Sequence, residues 1–573
     1  MAAVGLPGTP ARPVWGMRPD AASVVFFCVF AAVALVVVYP VWLLLVHSVQ
    51  VGDIGKPTEW GLEYWRSAFD ERRMRQAMVN TIGLTVASQA IAFVISIPVS
   101  FLIARTNIPF RGALEFGFWV AIFLPSLTVT LAWILLLDGH RGLLNTLVEK
   151  LPFVQRSPFD IFSWWGIVFM HVVTISTAIK VVILVPAFRN LDASLEEASL
   201  SLGASPLRTL LRIVIPILAP AILVVFLFGT IRSIQSFEIE LILGAPRQIE
   251  VYSTLIYHQI YQDPPQYGKA TVLSLLVLGL LLPLIAVQHW LTHRRNYVTV
   301  SGKFSNRLFE LGAWRWAAFA LAFLLCFITT ILPFVMVMMG TFMQLFGFFN
   351  IPDPWTTAHW GEVFSDPKFF PSLKNTMVVG LGVAAITVTL FSVVAYVTVR
   401  SVHAARSALD FLTWLPSAIP GVVIGLGMLW MFLETPLLKS LYGSPVALVA
   451  AVAVGTMTLS VQVLKTNIIQ LGAELEEASR AHGASWPYTF RRIVLPLLAP
   501  AFAAVAILAF GSAAREVSLV ALLSNHATQP LSMFQLSYVT EGRLENASVV
   551  GVLIMLMSVG VAVVGRMLGV RSI

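Results

Sequence analysis

Two polar stretches of this sequence, 280 residues apart, are near copies of each other, and each sits between long apolar runs. The first reads LDASLEEASLSLGASPLRTLLRIVIPILAPA from Leu191 to Ala221; the second reads LGAELEEASRAHGASWPYTFRRIVLPLLAPA from Leu471 to Ala501. They align without a gap and agree at 19 of 31 positions, among them Glu196/Glu476, Glu197/Glu477, Gly203/Gly483, Arg212/Arg492 and Pro216/Pro496. Packing alone gives no reason to keep a charged block in duplicate inside an oily chain. The pattern is that of a docking element presented twice, once by each half of a two-fold molecule.

The surrounding chain belongs in a bilayer. Of its 573 residues 58% are hydrophobic and only 12% charged, against about 45–50% apolar and about 25% charged in soluble domains. That much apolar surface needs lipid as its solvent, and an all-α polytopic membrane protein is the expected fold class. Cys28 and Cys326 both lie in apolar runs, so neither a disulfide framework nor a metal cluster is implied. The first apolar run is long and lacks a small-residue cleavage site, so it reads as a retained helix rather than a signal peptide.

Runs of about 20 apolar residues number six in each half. They fall near 23–49, 77–104, 113–137, 163–187, 213–232 and 270–291, and again near 315–342, 375–399, 408–433, 444–468, 493–514 and 547–568. Smaller signatures repeat in step. Trp60-Gly61 pairs with Trp360-Gly361, Asn80-Thr81 with Asn375-Thr376, and Leu124-Pro125 with Leu415-Pro416. The chain therefore divides into a tail (1–22), a first six-helix unit (23–292), a basic linker (293–314) and a second six-helix unit (315–573). Six is even, so both units keep one orientation, as a parallel repeat about an axis normal to the membrane.

Charge sets that orientation. With the N-terminus inside, the inner segments hold 21 Lys and Arg against 10 Asp and Glu, counting Lys180 and Lys465 at the inner ends of their spans, and the outer segments hold 16 against 19. The positive-inside rule then places both termini and both polar blocks in the cytoplasm. The basic net charge needs no nucleic-acid partner.

Within each block an acidic helical signal, LEEAS, leads to Gly203 or Gly483. Acidic residues suit a helix start, and glycine suits the left-handed turn at a helix end. Ser205 and Ser485 are placed to cap a following helix, with Pro206 and Pro487 tolerated in its first turn. The expected product is a helix–turn–helix across the inner membrane face, tied rigidly to spans four and five.

The spacing Glu-Ala-Ser-x3-Gly-x9-Ile-x-Ile/Leu-Pro, at 197–216 and 477–496, resembles the EAA loop of binding-protein-dependent ABC importer permeases, departing only in Ser199 and Ser479 for the third alanine. The resemblance covers essentially the whole chain, as two type I importer permease units fused head to tail. Fused units of this length look most like ferric iron permeases, with thiamine permeases a close relation; FEIELILGAPRQIEVYSTLIY (237–257) and Arg515-Glu516 lean toward the iron type. The resemblance implies that each loop is a coupling helix seated on an ATP-hydrolysing subunit. Glu196, Glu197, Ala198 and Gly203 would do this in the first copy, and Glu476, Glu477, Ala478, Gly483 and Trp486 in the second. It also implies two copies of a cytoplasmic ATPase, a periplasmic substrate-binding protein, a bacterial inner-membrane location, and no cofactor on this chain, ATP being used by the partner.

Enzymatic signals are absent or false. Gly52 to Thr58 superficially resembles a phosphate loop, but Gln50 replaces its first glycine and Pro57 its magnesium-binding residue. His289 and His293 are four apart but have no third ligand, so no metal site is expected. Asn546-Ala-Ser548 matches a glycosylation sequon yet abuts a span. Arg232, Glu238, Glu240, Arg515 and Glu516 sit near apolar runs, where a central charge costs about 2.5–3.5 kcal/mol. Two readings stay open for them: the mouth of a path or a binding-protein contact, and ordinary interfacial residues beyond span five. A major-facilitator-type secondary transporter would also have twelve spans, but the loop Ala104 to Gly112 lacks its Gly-x3-Asp-Arg-x-Gly-Arg-Arg motif. Among importers, thiamine, polyamines and phosphonates remain alternatives to ferric iron.

Overall fold

The second span of the first half shows most plainly which solvent this fold answers to. Along it Asn80, Thr81, Thr85, Ser88, Gln89, Ser96 and Ser100 are buried, while Val79, Val86 and Val94 face outward with 64%, 62% and 74% of their surface exposed. A helix that turns hydroxyls inward and valines outward is stable only where the surroundings are hydrocarbon.

The structure, a computed structural model, describes residues 19–52, 59–152, 154, 157–191, 198–199, 201–294 and 308–567. Among them ten helices are long and apolar enough to cross a membrane. In the first half these are α1 (Pro19–Ser48), α2 (Arg72–Arg105), α5 (Trp164–Arg189), α6 (Leu210–Ile234) and α7 (Tyr267–Arg294). In the second they are α8 (Trp314–Gly340), α9 (Phe369–Arg400), α12 (Pro445–Gln470), α13 (Phe490–Ala514) and α14 (Leu544–Met567). β-structure among the described residues is confined to the strands Gln50–Val51 and Glu59–Trp60 and two isolated bridges.

The third span of each half departs from the sequence reading. Instead of continuous helices over 113–137 and 408–433, α3 (Arg111–Ala121) meets α4 (Ser126–Leu137) at 104°, and α10 (Arg406–Ala418) meets α11 (Gly421–Glu434) at 111°. Proline is the cause. Pro125 (φ −66°, ψ 131°) opens α4 from an extended backbone, and Pro420 (φ −56°, ψ 146°) opens α11 in the same way; proline lacks the N–H a continuous helix needs and disfavours helical geometry in the residue before it. With each bent pair counted as one span, the total is twelve.

The halves are interlocked rather than side by side. α1 packs on α11 of the other half, and α8 packs on α4. At the first crossing Tyr39 Oη lies 3.3 Å from Thr435 Oγ1 and the His47 ring stacks on Trp430 with centroids 3.8 Å apart.

The duplicated Asn-Thr pairs prove to be clamps. Asn80 Nδ2 donates to the Glu250 carbonyl (2.9 Å), and Thr81 Oγ1 accepts the Tyr252 N–H (3.1 Å) at the start of helix Tyr252–Tyr261. Asn375 Nδ2 donates to the Ala527 carbonyl (2.9 Å), and Thr376 Oγ1 accepts the Leu531 N–H (2.8 Å) at the start of helix Leu531–Thr540. Each pair satisfies backbone groups that a helix start leaves open. Most of the linker lies outside the described residues, but Phe309 is pinned to the first half through the Arg105 carbonyl (2.8 Å) and the Asn107 N–H (3.2 Å).

Candidate functional site

Both polar blocks fold into the same turn. Gly203 and Gly483 each take φ +80°, and nothing lies within 4 Å of where a side chain would project. Each turn is closed by an N–H five residues on: Ala204 to the Ser199 carbonyl (3.1 Å) and Ala484 to the Ser479 carbonyl (3.2 Å), the six-to-one bond of a glycine-terminated helix. The serines that replace alanine in the motif fasten the element. Ser199 Oγ lies 2.9 Å from Thr209 Oγ1, and Ser479 Oγ lies 2.8 Å from Thr489 Oγ1. Ser205 accepts the Arg208 N–H on its hydroxyl (3.3 Å), as a cap should. After each short second helix, a single wide turn, Leu210–Val214 or Phe490–Val494, carries the backbone directly into α6 or α13.

In the second copy the acidic helix spans Glu474–Ala481. Glu477 and Ala478 are exposed on it, and Gly483 is exposed just beyond its end. Glu476 corrects the expectation of a docking role. It is 4% exposed and turned into the bundle, accepting from Tyr396 Oη (2.6 Å) and Arg400 Nε (2.9 Å). Arg400 continues to the Leu471 carbonyl (2.6 Å), so the residue anchors the element to α9 instead of presenting its charge. In the first copy Ala198 is exposed, while Glu196 and Glu197 lie outside the described residues. Arg105 takes the place of Arg400 there, reaching the Leu191 carbonyl (3.4 Å). Trp486 begins the helix Trp486–Thr489, and its side chain also lies outside the described residues. Apolar side chains at the elements are uncovered, Leu202 by 88%, Tyr488 by 58% and Leu475 by 45%.

The second group of site residues gathers where α6 and α13 end. Gln235 Nε2 donates to the Ser417 carbonyl (2.8 Å), in the last turn before the break of the other half's third span. Arg515 donates to the Ile122 carbonyl, inside the break of the first half's third span. Each fifth span thus grips the opposite half at a backbone carbonyl that the bend has freed. Beside these contacts is a cavity of about 180 Å³ whose wall includes Ser126, His171, Thr174, Arg232, Glu238 and Ser518. Glu240 is 2% exposed and accepts from Ser236 Oγ (2.7 Å), with His171 Nε2 2.6 Å away. Glu516 accepts from Ser518 Oγ (2.8 Å) and the Leu519 N–H (3.0 Å). Arg515 and Glu516 are among the charges nearest Glu238. Of these five residues Glu240 is buried, Glu238, Arg515 and Glu516 are half-buried, and Arg232 is exposed. His171 carries no motif and was invisible in the sequence.

The minor signals resolve simply. Asn546 is buried, and its Nδ2 donates to Glu362 (3.0 Å). His289 packs edge-on against Trp414 and Phe411. Of the phosphate-loop look-alike, residues 53–58 lie outside the described residues. Among the described residues no group of His, Cys, Asp and Glu is arranged to hold a metal ion.

Residues 96–297 and 385–569 both match the binding-protein-dependent transport system inner membrane component family, one match per half. The chain belongs to that family. Relatives include "Probable ABC transporter permease protein y4fN" of Sinorhizobium fredii, 28% identical over 80% of this chain and 81% of its own length. The ferric transport system permease protein FbpB of Actinobacillus pleuropneumoniae is 29% identical over 64% of this chain and 52% of its own length. A Salmonella typhi protein named as a 2-aminoethylphosphonate transport system permease, PhnU, is 27% identical over 45% of this chain and 86% of its own length. Among solved structures, a bacterial ABC transporter that imports alginate aligns over 45% of this chain at 18% identity, with a TM-score of 0.37. The chain is an ABC importer permease of the bacterial inner membrane, crossing the membrane many times, and its family is one of transport rather than enzymatic proteins.

Proposed function

We propose that this permease forms the path of a ferric iron importer, with two identical ATPase subunits seated on the turns at Gly203 and Gly483. The observation that carries the docking reading is the identity of the two turns: the same left-handed glycine, the same Ser–Thr bond and the same uninterrupted passage into a spanning helix. A rigid element joined so directly to α6 and α13 transmits a push from the cytoplasm to the points where those helices grip the opposite half. Closing and opening of the ATPases would then rock the halves and alternate access to the charged cavity. Hydrolysis belongs to the partner subunits; this chain binds no cofactor and passes iron only as cargo delivered by a periplasmic binding protein. Both termini face the cytoplasm in this reading.

The iron assignment draws on the ferric permeases among the relatives, which match across both halves. The phosphonate permease matches a smaller share. Proteoliposomes holding the permease, its ATPase and its binding protein should take up radiolabelled ferric iron when ATP is present. Uptake of 2-aminoethylphosphonate and not iron would reassign the cargo. Cysteines placed at Ser201 and Ala481 should be labelled only from the ATPase side, and one at Leu437 only from the other; the reverse pattern would invert the topology.

A further inference from the structure

We propose that the first half contains an oxyanion site beside the cavity, built by Lys180 and Gln89, which the second half lacks. Lys180 was counted with the inner end of its span. The structure instead buries it completely, nine residues before Arg189 closes α5. Its ammonium donates to the Ser176 carbonyl (3.0 Å) and lies 5.0 Å from the centre of the Phe93 ring. Among the described residues no carboxylate forms an ion pair with it. Lys465 makes the contrast, because its ammonium pairs with Asp410 at 2.6 Å. A cation kept inside a membrane protein without an acid normally faces a water-filled cavity or a ligand pathway.

Gln89 points to the same place. It is 1% exposed, and neither its amide nitrogen nor its amide oxygen has a hydrogen-bond partner. The two side chains converge on Gly229, where a Cβ would stand 2.5 Å from Gln89 Oε1 and 3.2 Å from Lys180 Nζ. Gly229 and Ser176 both line the cavity, and the ammonium and the amide lie directly behind them. Only glycine lets the two groups approach the helix this closely. The site offers N–H donors and a positive charge that no described carboxylate pairs with, which suits a phosphate, phosphonate, carbonate or carboxylate group. In the second half, at the offsets of the repeat, the corresponding residues are Ala384, Ser460 and Ala509, none of which carries a positive charge or an amide.

The test is binding of inorganic phosphate to the full chain in lipid nanodiscs, by equilibrium dialysis with radiolabel. This requires no ATPase, so its result is separate from that of the coupling reading. The intact protein should bind saturably, with at least a tenfold loss in both Lys180→Met and Gln89→Leu. Gly229→Ala removes no donor yet should also weaken binding, by displacing the amide. No saturable binding to the intact chain, or binding unchanged in Lys180→Met and Gln89→Leu, overturns the site. Uptake then identifies the source of the oxyanion. If the group belongs to the cargo, Lys180→Met loses ATP-driven uptake along with phosphate binding. If it is a free anion, binding is lost while uptake persists.

Discussion

The two halves agree at their edges and disagree in their interiors. The two glycine turns match in chemistry down to single hydrogen bonds, and the Asn-Thr clamps at the opposite end do the same. Between those ends the first half holds a buried lysine and glutamine, whereas the second places serine and alanine. In the proposed function the matching parts face two equivalent partners and the differing parts face a single cargo. Even the shared anchor differs slightly, for Tyr396 bonds Glu476 where the first half has Phe101.

The sharpest way to break this comparison is at Arg400. Replacing it with Met takes a charged partner from the buried Glu476, and removing one partner of a buried pair costs about 3–5 kcal/mol. Arg400→Met should lower the melting temperature and release the second ATPase site first; unchanged ATPase retention would show that Glu476 does not anchor the element. Tyr396→Phe makes the second half resemble the first. It should cost about 1.5–3 kcal/mol, as expected for a hydrogen bond to a charged group, visible as a smaller melting shift. Gly203→Val and Gly483→Val impose a side chain at φ +80°, a strain of about 1–3 kcal/mol. Each should insert normally but uncouple hydrolysis from uptake, and the two should do so equally because the turns are equal. Unequal uptake would mean that the partners are not equivalent.

The smallest effect is confined to the Asn-Thr clamp end of the first half. Burial pushes the Glu250 carboxyl up, but hydrogen bonds from Arg73 and His258 overcome it and hold it at about 2. A carboxylate held below its ordinary value stabilises the fold above about pH 4.5 and loses that contribution as pH falls toward about 2. Amide protection around Tyr252–Tyr261, taken relative to the intrinsic exchange rate at each pH, should therefore fall over that interval in the native protein and stay flat in Glu250→Gln.

The sequence made the repeat, the span count and the glycine turns legible because each is a local signal: hydropathy over twenty residues, or a motif read twice. It misplaced the third spans for a local reason as well, since Pro125 and Pro420 were plain to see but apolar content ran straight across them. The inward turn of Glu476 was hidden because its partners stand 80 and 76 residues earlier in the chain. Lys180 was read by its distance from the span's end, whereas its burial depends on α2 and α6 closing over α5. Pairwise tertiary facts of this kind leave no trace in composition or period.

The crossing of α1 onto α11 also bears on how such a protein is made. Tyr39 and its contact Thr435 are 396 residues apart, and at about 5–20 residues per second a ribosome needs ~20–80 s to deliver the second after the first. During that interval the face of α1 that will meet α11 can be covered only by lipid or by an insertion factor. The six helices of the first half are thus no free-standing folding unit, whatever their ancestry. Gene fusion fixes the order and stoichiometry in which the two halves enter the bilayer and keeps the late-arriving mate within reach.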